Sequence, residues 1–253
     1  MHPIPKRPAQ QPPLQAAGSR RQLSAVGFDL DGTLVDSLED IRAALNACLI
    51  ERSLQALPSA LVKGFVGDGA EALIARALAA AADAPPTPAS VAATVARFEH
   101  HYRRAPARFT RVMPGAESAV RAARRHGLRV GLCTNKPRAA TVALLAALDA
   151  AETGIGSSAF DCVVCGDDLP DKKPHPAPLL RLCTQLQIPA ESLMFVGDGP
   201  QDVLAAKAAG AVSVAVGGGI ASAESLEAAR AQHQLQSLLE LAALLDEYQP
   251  TSA

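Results

Sequence analysis

The sequence predicts an α/β protein: a parallel sheet covered by helices on both faces, with an all-helical insert after the first strand. Three observations lead there. Short apolar runs bounded by turn residues recur at 23–29, 128–134, 160–166, 192–198 and 211–216. They are continuous rather than alternating, which is how strands buried on both faces read. Helical patterns fill the gaps, so strand and helix alternate. Between about 37 and 109 the rhythm changes to amphipathic helical runs with no strand among them.

In chain order, residues 1–22 are rich in Pro, Gln and Arg and lack the apolar stretch of a secretory signal. They are expected to form a disordered tail, having too little apolar surface to offset the entropy of ordering. LSAVGFD follows as a buried strand ending in an acid, Asp29. SLEDIRAALNACLIER, GAEALIARALAAAADA and PASVAATVARFEHHYRR then form helices, the last two separated by Pro85-Pro86-Thr87-Pro88. Residues 37–109 are thus expected to be a cap, and 23–36 with 110–253 the catalytic core. Further helices are expected at 115–126, 137–148, 176–187, 200–209 and 236–247, with Pro137 suited to a first helical position. In parallel sheets the ligand site lies at the carboxyl ends of the strands. Here those ends carry Asp29, Thr134, the Gly166-Asp167-Asp168 turn and Asp198.

Composition narrows the function. The 253 residues carry a formal net charge of −1, with 3% aromatics and no Trp. That balance argues against a base-stacking nucleic-acid binder. No apolar stretch approaches the ~18–20 residues of a membrane span. Of five cysteines, Cys48, Cys133 and Cys183 sit in apolar runs, which suits a reducing, cytoplasmic setting. Cys162-Val163-Val164-Cys165 spells CxxC inside a strand-like run and reads as core packing rather than redox or metal chemistry.

The strongest chemical signal is Phe28-Asp29-Leu30-Asp31-Gly32-Thr33-Leu34-Val35-Asp36-Ser37. Turn and cap chemistry accounts for Asp36 and Ser37. It does not account for an ionisable Asp29 at the end of an apolar strand, where an unpaired charge is costly. This stretch resembles the first motif of the haloacid dehalogenase-like phosphatases. Three further motifs of that family follow in order. Thr134-Asn135-Lys136-Pro137 resembles the second, Lys173 directly before Pro174 the third, and Val196-Gly197-Asp198-Gly199-Pro200-Gln201-Asp202 the fourth. Lys172 reads as a solvated neighbour of Lys173.

The resemblance implies a Rossmann-like core and a division of labour that fits phosphoryl transfer. That reaction needs an in-line nucleophile, charge neutralisation and a proton for the leaving oxygen. By resemblance Asp29 attacks phosphorus and forms an aspartyl-phosphate. Asp31 protonates the leaving alkoxide and later takes a proton from water. Asp29, the backbone carbonyl of Asp31 and Asp198 hold Mg²⁺. Thr134, Asn135 and Lys173 bind phosphate, and Asp202 supports the metal from behind or holds Lys173. VGDG occurs twice, at 66–69 and 196–199, and only the second copy ends a core strand. In the first, the glycines are expected to turn the chain into a helix at 70–82 with Asp68 near its start, not as a metal ligand. The Gly67-Asp68-Gly69 loop of a closing cap is nonetheless a candidate for substrate contact.

GFVGDGAEALIARAL, LCTNKP, CGDDLPDKKPHPAPLL and FVGDGPQDVLAAKAAG are similar to the phosphoglycolate phosphatase branch. That implies Mg²⁺-dependent hydrolysis of 2-phosphoglycolate to glycolate and phosphate, a reaction of carbohydrate metabolism. The alternatives are a phosphatase for a sugar phosphate such as N-acetylmuramate 6-phosphate, or a phosphomutase. Gly217-Gly218-Gly219 stands where the branch often has a Tyr-containing turn, and the basic stretch His100–Arg104 reads as a solvated helix end. The expected partner is a small phosphorylated metabolite, not nucleic acid or membrane, bound by a monomer or homodimer.

Overall fold

A computed structural model of the chain describes residues 22–82 and 85–250. The segment expected as a tail lies outside the described residues apart from Gln22. That residue opens β1 (Gln22–Leu23), and β2 (Ala25–Phe28) follows, buried along its whole length. A short β3 (Val35–Asp36) leads into the helical insert: α1 (Leu38–Glu51), α2 (Ser59–Lys63), α3 (Ala70–Ala82) and α4 (Pro88–Arg104). Helix α4 starts where the sequence favours a start. Thr87 accepts a hydrogen bond from the Ser90 amide at 3.2 Å, and Pro88 occupies the first turn. The α2 turn is an addition to the expected elements. Ile41, Leu45, Leu49, Ile74, Leu78, Phe98 and Tyr102 build the insert its own apolar cluster.

The chain returns through β4 (Arg111–Val112), which pairs antiparallel with β3 in the register Val35↔Val112 and Asp36↔Arg111. Strand and helix then alternate as expected. α5 (Ala116–Arg125), β5 (Arg129–Cys133), α6 (Arg138–Ala150) and β6 (Cys162–Val164) come first. α7 (Ala177–Leu186), β7 (Leu193–Gly197), α8 (Pro200–Ala209) and β8 (Val212–Val216) come next. α9 (Ala223–Ala229) and β9 (His233–Leu235) extend the pattern beyond what the sequence indicated. The expected helix at 236–247 is broken in two. Ser237 accepts from the Leu239 amide and starts a 3₁₀ turn at Leu238–Glu240, which then relaxes into α10 (Leu241–Leu245). β10 (Gln249–Pro250) pairs with β1.

The main sheet has the order β6-β5-β2-β7-β8-β9, and every pairing in it is parallel. Successive residues of a strand face opposite sides, and β7 uses that fully. Met194 and Val196 pack into the layer formed with α5 and α10, while Leu193 and Phe195 pack into the layer with α7 and α8. Each fully buried side chain of this size contributes about 1.5–3 kcal/mol. The sheet is therefore a rigid base for whatever projects from its ends.

Candidate active site

Strand β2 lies at the centre of the sheet, with β5 on one side and β7 on the other. Strand order reverses there, and the crevice above such a reversal is where open α/β sheets bind ligands. Asp29 directly follows β2, its amide donating to Val196 O at 2.9 Å. Thr134 directly follows β5, and Asp198 directly follows β7. Three of the motifs therefore converge on one point, and the remaining one meets them there through Lys173.

Lys173 sits at the bottom of the crevice with its side chain 1% exposed. Its Nζ donates to Asp29 Oδ1, Asp202 Oδ1 and Cys133 O, each at 2.7 Å. Those acceptors match the three donors of an ammonium. Burial by itself pulls the lysine pKa down, but Asp202 and Asp29 outweigh it and hold the group charged. Asp29 is pushed up to about 8, by burial first. Lys173 opposes that shift, and the nearby Asp202 and Asp198 charges add to it. Asp198 is pushed up to about 6 by burial and by Asp202.

Asp29, Asp198 and Asp202 bring carboxylate oxygens within 4.8 Å of one another, and all three residues are buried. Three carboxylates thus face one ammonium, which leaves excess negative charge. Hard oxygen donors with uncompensated charge fit a divalent cation of the Mg²⁺ type. Asp202 has little left to offer it directly: one oxygen holds Lys173 and the other accepts from the Gly199 amide at 3.0 Å.

Asp198 lies in a fitted cradle. Thr33 Oγ1 donates to its Oδ1 at 3.0 Å, and the Ile220 amide donates to its Oδ2 at 2.6 Å. Gly32, at φ +91°, and Gly219 both press against the carboxylate, and a Cβ on either would overlap it. The Gly32-Thr33 pair and the last glycine of the 217–219 run therefore share one purpose. Gly219→Ala should displace Asp198 and lower kcat on the order of 100-fold, since catalytic misplacement by about 1 Å costs that much. Steady-state kinetics with a parallel thermal melt checks this, and the melt should move far less than the rate.

The Asp31 carboxylate stands outside that trio. Ser37 Oγ donates to its Oδ1, and Lys136 Nζ lies 3.1 Å from both oxygens. Ser37 therefore spends its hydroxyl on Asp31 rather than on capping α1. Asp36, one residue earlier, accepts from the Leu38 amide at 3.2 Å in a turn that leads into α1. Lys136 is a site residue that the sequence reasoning missed. It is buried, its Nζ 4.2 Å from the centroid of the Tyr102 ring. Burial opposes its charge, but Asp31 and Tyr102 raise its pKa above the ordinary lysine value. The available signal was its place one residue after Asn135 in the second motif.

Asn135 ties the site to the insert. Its Nδ2 donates to Gly67 O at 2.9 Å and to Lys173 O at 2.8 Å, and its Oδ1 accepts from the Lys173 amide at 3.0 Å. Its side chain is thus committed to protein partners, so any phosphate contact falls to its backbone. Thr134 Oγ1 accepts from the Lys136 amide at 3.2 Å. Gly67 and Gly69, both at positive φ, bring the first VGDG loop over the crevice, where they line a cavity of about 50 Å³. Asp29, Asp31, Thr134, Asn135, Lys136 and Lys173 line the same cavity from below. Asp68 does not join them: it forms an exposed ion pair with Arg76.

Two other features have ordinary explanations. Cys165 is buried and Cys162 half-buried, and burial pushes both thiols up to about 11, which suits packing rather than redox reactivity. The His100–Arg104 stretch is split. His101 pairs with Glu51 at 2.7 Å on the outside, while Tyr102 turns into the insert's apolar cluster.

Comparison with known proteins agrees with this geometry. A model of the haloacid dehalogenase-like hydrolases matches residues 23–210. A phosphoglycolate phosphatase of Rhodospirillum rubrum is 46% identical over 191 residues, covering 74% of this chain and 76% of that protein. A plasmid-encoded phosphoglycolate phosphatase of Cupriavidus necator is 41% identical over 222 residues, covering 88% and 93%. A predicted phosphoglycolate phosphatase from Haemophilus somnus, known by crystal structure, superposes with a TM-score of 0.79 at 27% identity, covering 88% of this chain and 98% of that one. With its motifs gathered at one sheet edge and relatives of this identity along most of its length, the chain belongs to the haloacid dehalogenase-like hydrolases and is an enzyme similar to their phosphoglycolate phosphatases.

Proposed function

We propose that this phosphatase hydrolyses 2-phosphoglycolate to glycolate and phosphate through an aspartyl-phosphate on Asp29. The observation that carries the reading is the buried Asp29–Lys173 pair facing a cavity of only about 50 Å³. One ordered water needs roughly 10–15 Å³ of such space. A cavity of this size favours a small substrate, and a sugar phosphate would need the insert to move well away.

In the first half-reaction an Asp29 oxygen attacks phosphorus as the bond from phosphorus to the glycolate oxygen breaks. Asp31 hands its proton to that oxygen, because an alkoxide is a poor leaving group. In the second, Asp31 takes a proton from water as the water oxygen attacks phosphorus, which returns Asp29 and releases phosphate. Ser37 and Lys136 fix the orientation of Asp31 for both transfers. Lys173 neutralises charge on Asp29 and the phosphoryl oxygens, and Asp202 holds Lys173 in place. The Thr134 hydroxyl and the Asn135 backbone amide take phosphoryl oxygens. Asp29, Asp198 and the Asp31 carbonyl are the candidates to hold Mg²⁺, which when bound offsets the repulsion between carboxylate and phosphate.

Residues 37–109 act as the cap and 23–36 with 110–253 as the core, in the cytoplasm and within carbohydrate metabolism. Five free thiols support that compartment. Monomer and homodimer both suit a site built within one chain.

Phosphate release from a panel of phosphomonoesters, with Mg²⁺ and with EDTA, tests the reading. The expected result is Mg²⁺-dependent turnover with kcat/KM for 2-phosphoglycolate at least tenfold above sugar phosphates, about 1.4 kcal/mol of discrimination. Preference for N-acetylmuramate 6-phosphate would discard the glycolate assignment and keep the chemistry. Isomerised product without phosphate release would point to a mutase.

A further inference from the structure

Lys136 is the buried cation that no phosphoryl oxygen claims, its part in the two transfers being its contact with Asp31. The reacting end already has Lys173, whose ammonium is engaged by Asp29, Asp202 and Cys133 O. Among the described residues lining the cavity, Lys136 is the one other cation. Its side chain is 6% exposed. It is held between core and insert, with Nζ 3.1 Å from both oxygens of Asp31 and 4.2 Å from the ring centroid of Tyr102 in α4. An ammonium over an aromatic face keeps its charge while remaining able to meet a further anion. Asp31 does not depend on it alone for orientation, because Ser37 Oγ also donates to Asp31.

The walls that the insert contributes beside Lys136 are apolar: Ile41, Val66, Leu73 and Phe98. A carboxylate entering such a space without a cation is strongly disfavoured, because burial strips its hydration with nothing to replace it. We propose that Lys136 is a specificity-determining residue, which receives the non-reacting carboxylate of the substrate while Lys173 serves the phosphoryl end. This rests on the reading of the enzyme as a phosphatase for a carboxylate-bearing phosphomonoester. It gives the two lysines separate duties and makes selectivity depend on a core residue held against the insert. A site built to pair a polar group rejects an analogue lacking it by orders of magnitude.

The test compares 2-phosphoglycolate with 2-hydroxyethyl phosphate, in which a neutral CH₂OH replaces the carboxylate. Wild type should prefer the first. Lys136→Met should lower kcat/KM for 2-phosphoglycolate on the order of 100-fold, mostly through KM, in the range seen when one partner of a buried charge pair is removed. 2-Hydroxyethyl phosphate should lose only what the contact of Lys136 with Asp31 contributes to both substrates, at least about tenfold less than 2-phosphoglycolate loses, so the preference collapses. Lys136→Arg should keep most of the preference. Lys136→Gln guards against misfolding: with circular dichroism like wild type, it must show the same collapse. Equal losses on both substrates, or an unchanged ratio, overturn the proposal and leave Lys136 as a partner of Asp31. The reading of 2-phosphoglycolate as substrate fails separately, when wild type turns over a sugar phosphate faster than either compound, whatever the ratio does in the variants.

Discussion

Asp29→Asn should lower kcat by at least about four orders of magnitude, as expected when a covalent nucleophile is removed, while the fold stays intact. The second half of that expectation is the more diagnostic. Burial pushes the Asp29 carboxyl up to about 8 from an ordinary 3.8. The native protein therefore holds a proton that the unfolded chain releases. Without metal, this group makes stability fall as pH rises from about 4 to about 8. Asparagine removes the charge and with it the penalty. In EDTA the variant should melt at or above the wild-type temperature at pH 8, and the gap should shrink toward pH 4. Differential scanning calorimetry across that range, alongside phosphate release, reads both effects. A variant that still turns over would remove Asp29 from the nucleophile role.

Lys173→Met should be equally inactive but should destabilise the protein. The methionine stem fills much of the same volume, yet Asp29 and Asp202 lose the ammonium that each meets at 2.7 Å. Removing one partner of a buried ion pair costs about 3–5 kcal/mol because the other charge, here that of Asp202, stays buried. In a chain of this size that corresponds to a melting-temperature drop on the order of 10 °C. Metal should recover part of the loss, since a divalent cation supplies positive charge to the same carboxylates. The Asp29→Asn/Lys173→Met double variant should lose less than the sum of the singles, because the groups share one network. A melt unchanged from wild type would mean that Lys173 contributes nothing to holding the carboxylates together.

The contrast between these variants bears on what could be seen in the sequence. The apolar strands and the acids at their ends were legible because continuous Val, Leu and Ala runs have few other uses, and parallel-sheet geometry then fixes where their ends lie. The partners of those acids were less visible. Lys136 reads in sequence as one more lysine, and lysines are usually solvated. Only the packing of α4 against the loop after β5 shows that it is buried under Tyr102. Asp36 and Ser37 were legible as turn and cap residues; Asp36 does accept from the first amide of α1, while the bond of Ser37 to Asp31 was not visible. β9 is three residues at the sheet edge, with only Leu235 fully buried, too short to impose a period. β3 and β4 are two residues each and exist only because they meet each other. The second helix of the insert is five residues long and is likewise below the length at which periodicity speaks.

That β3–β4 pair has an evolutionary meaning. The chain leaves the core at Val35–Asp36 and re-enters at Arg111–Val112, and these two crossings are hydrogen-bonded neighbours. Whatever lies between them begins and ends at nearly the same point in space. A segment of different length or shape, if its ends met at the same spacing, would leave the six-stranded sheet and its carboxylate cluster unstrained. The core thus resembles a socket, and the helical insert one of the plugs that it could accept. New selectivity could arise by exchanging the plug while the reactive machinery is inherited unchanged.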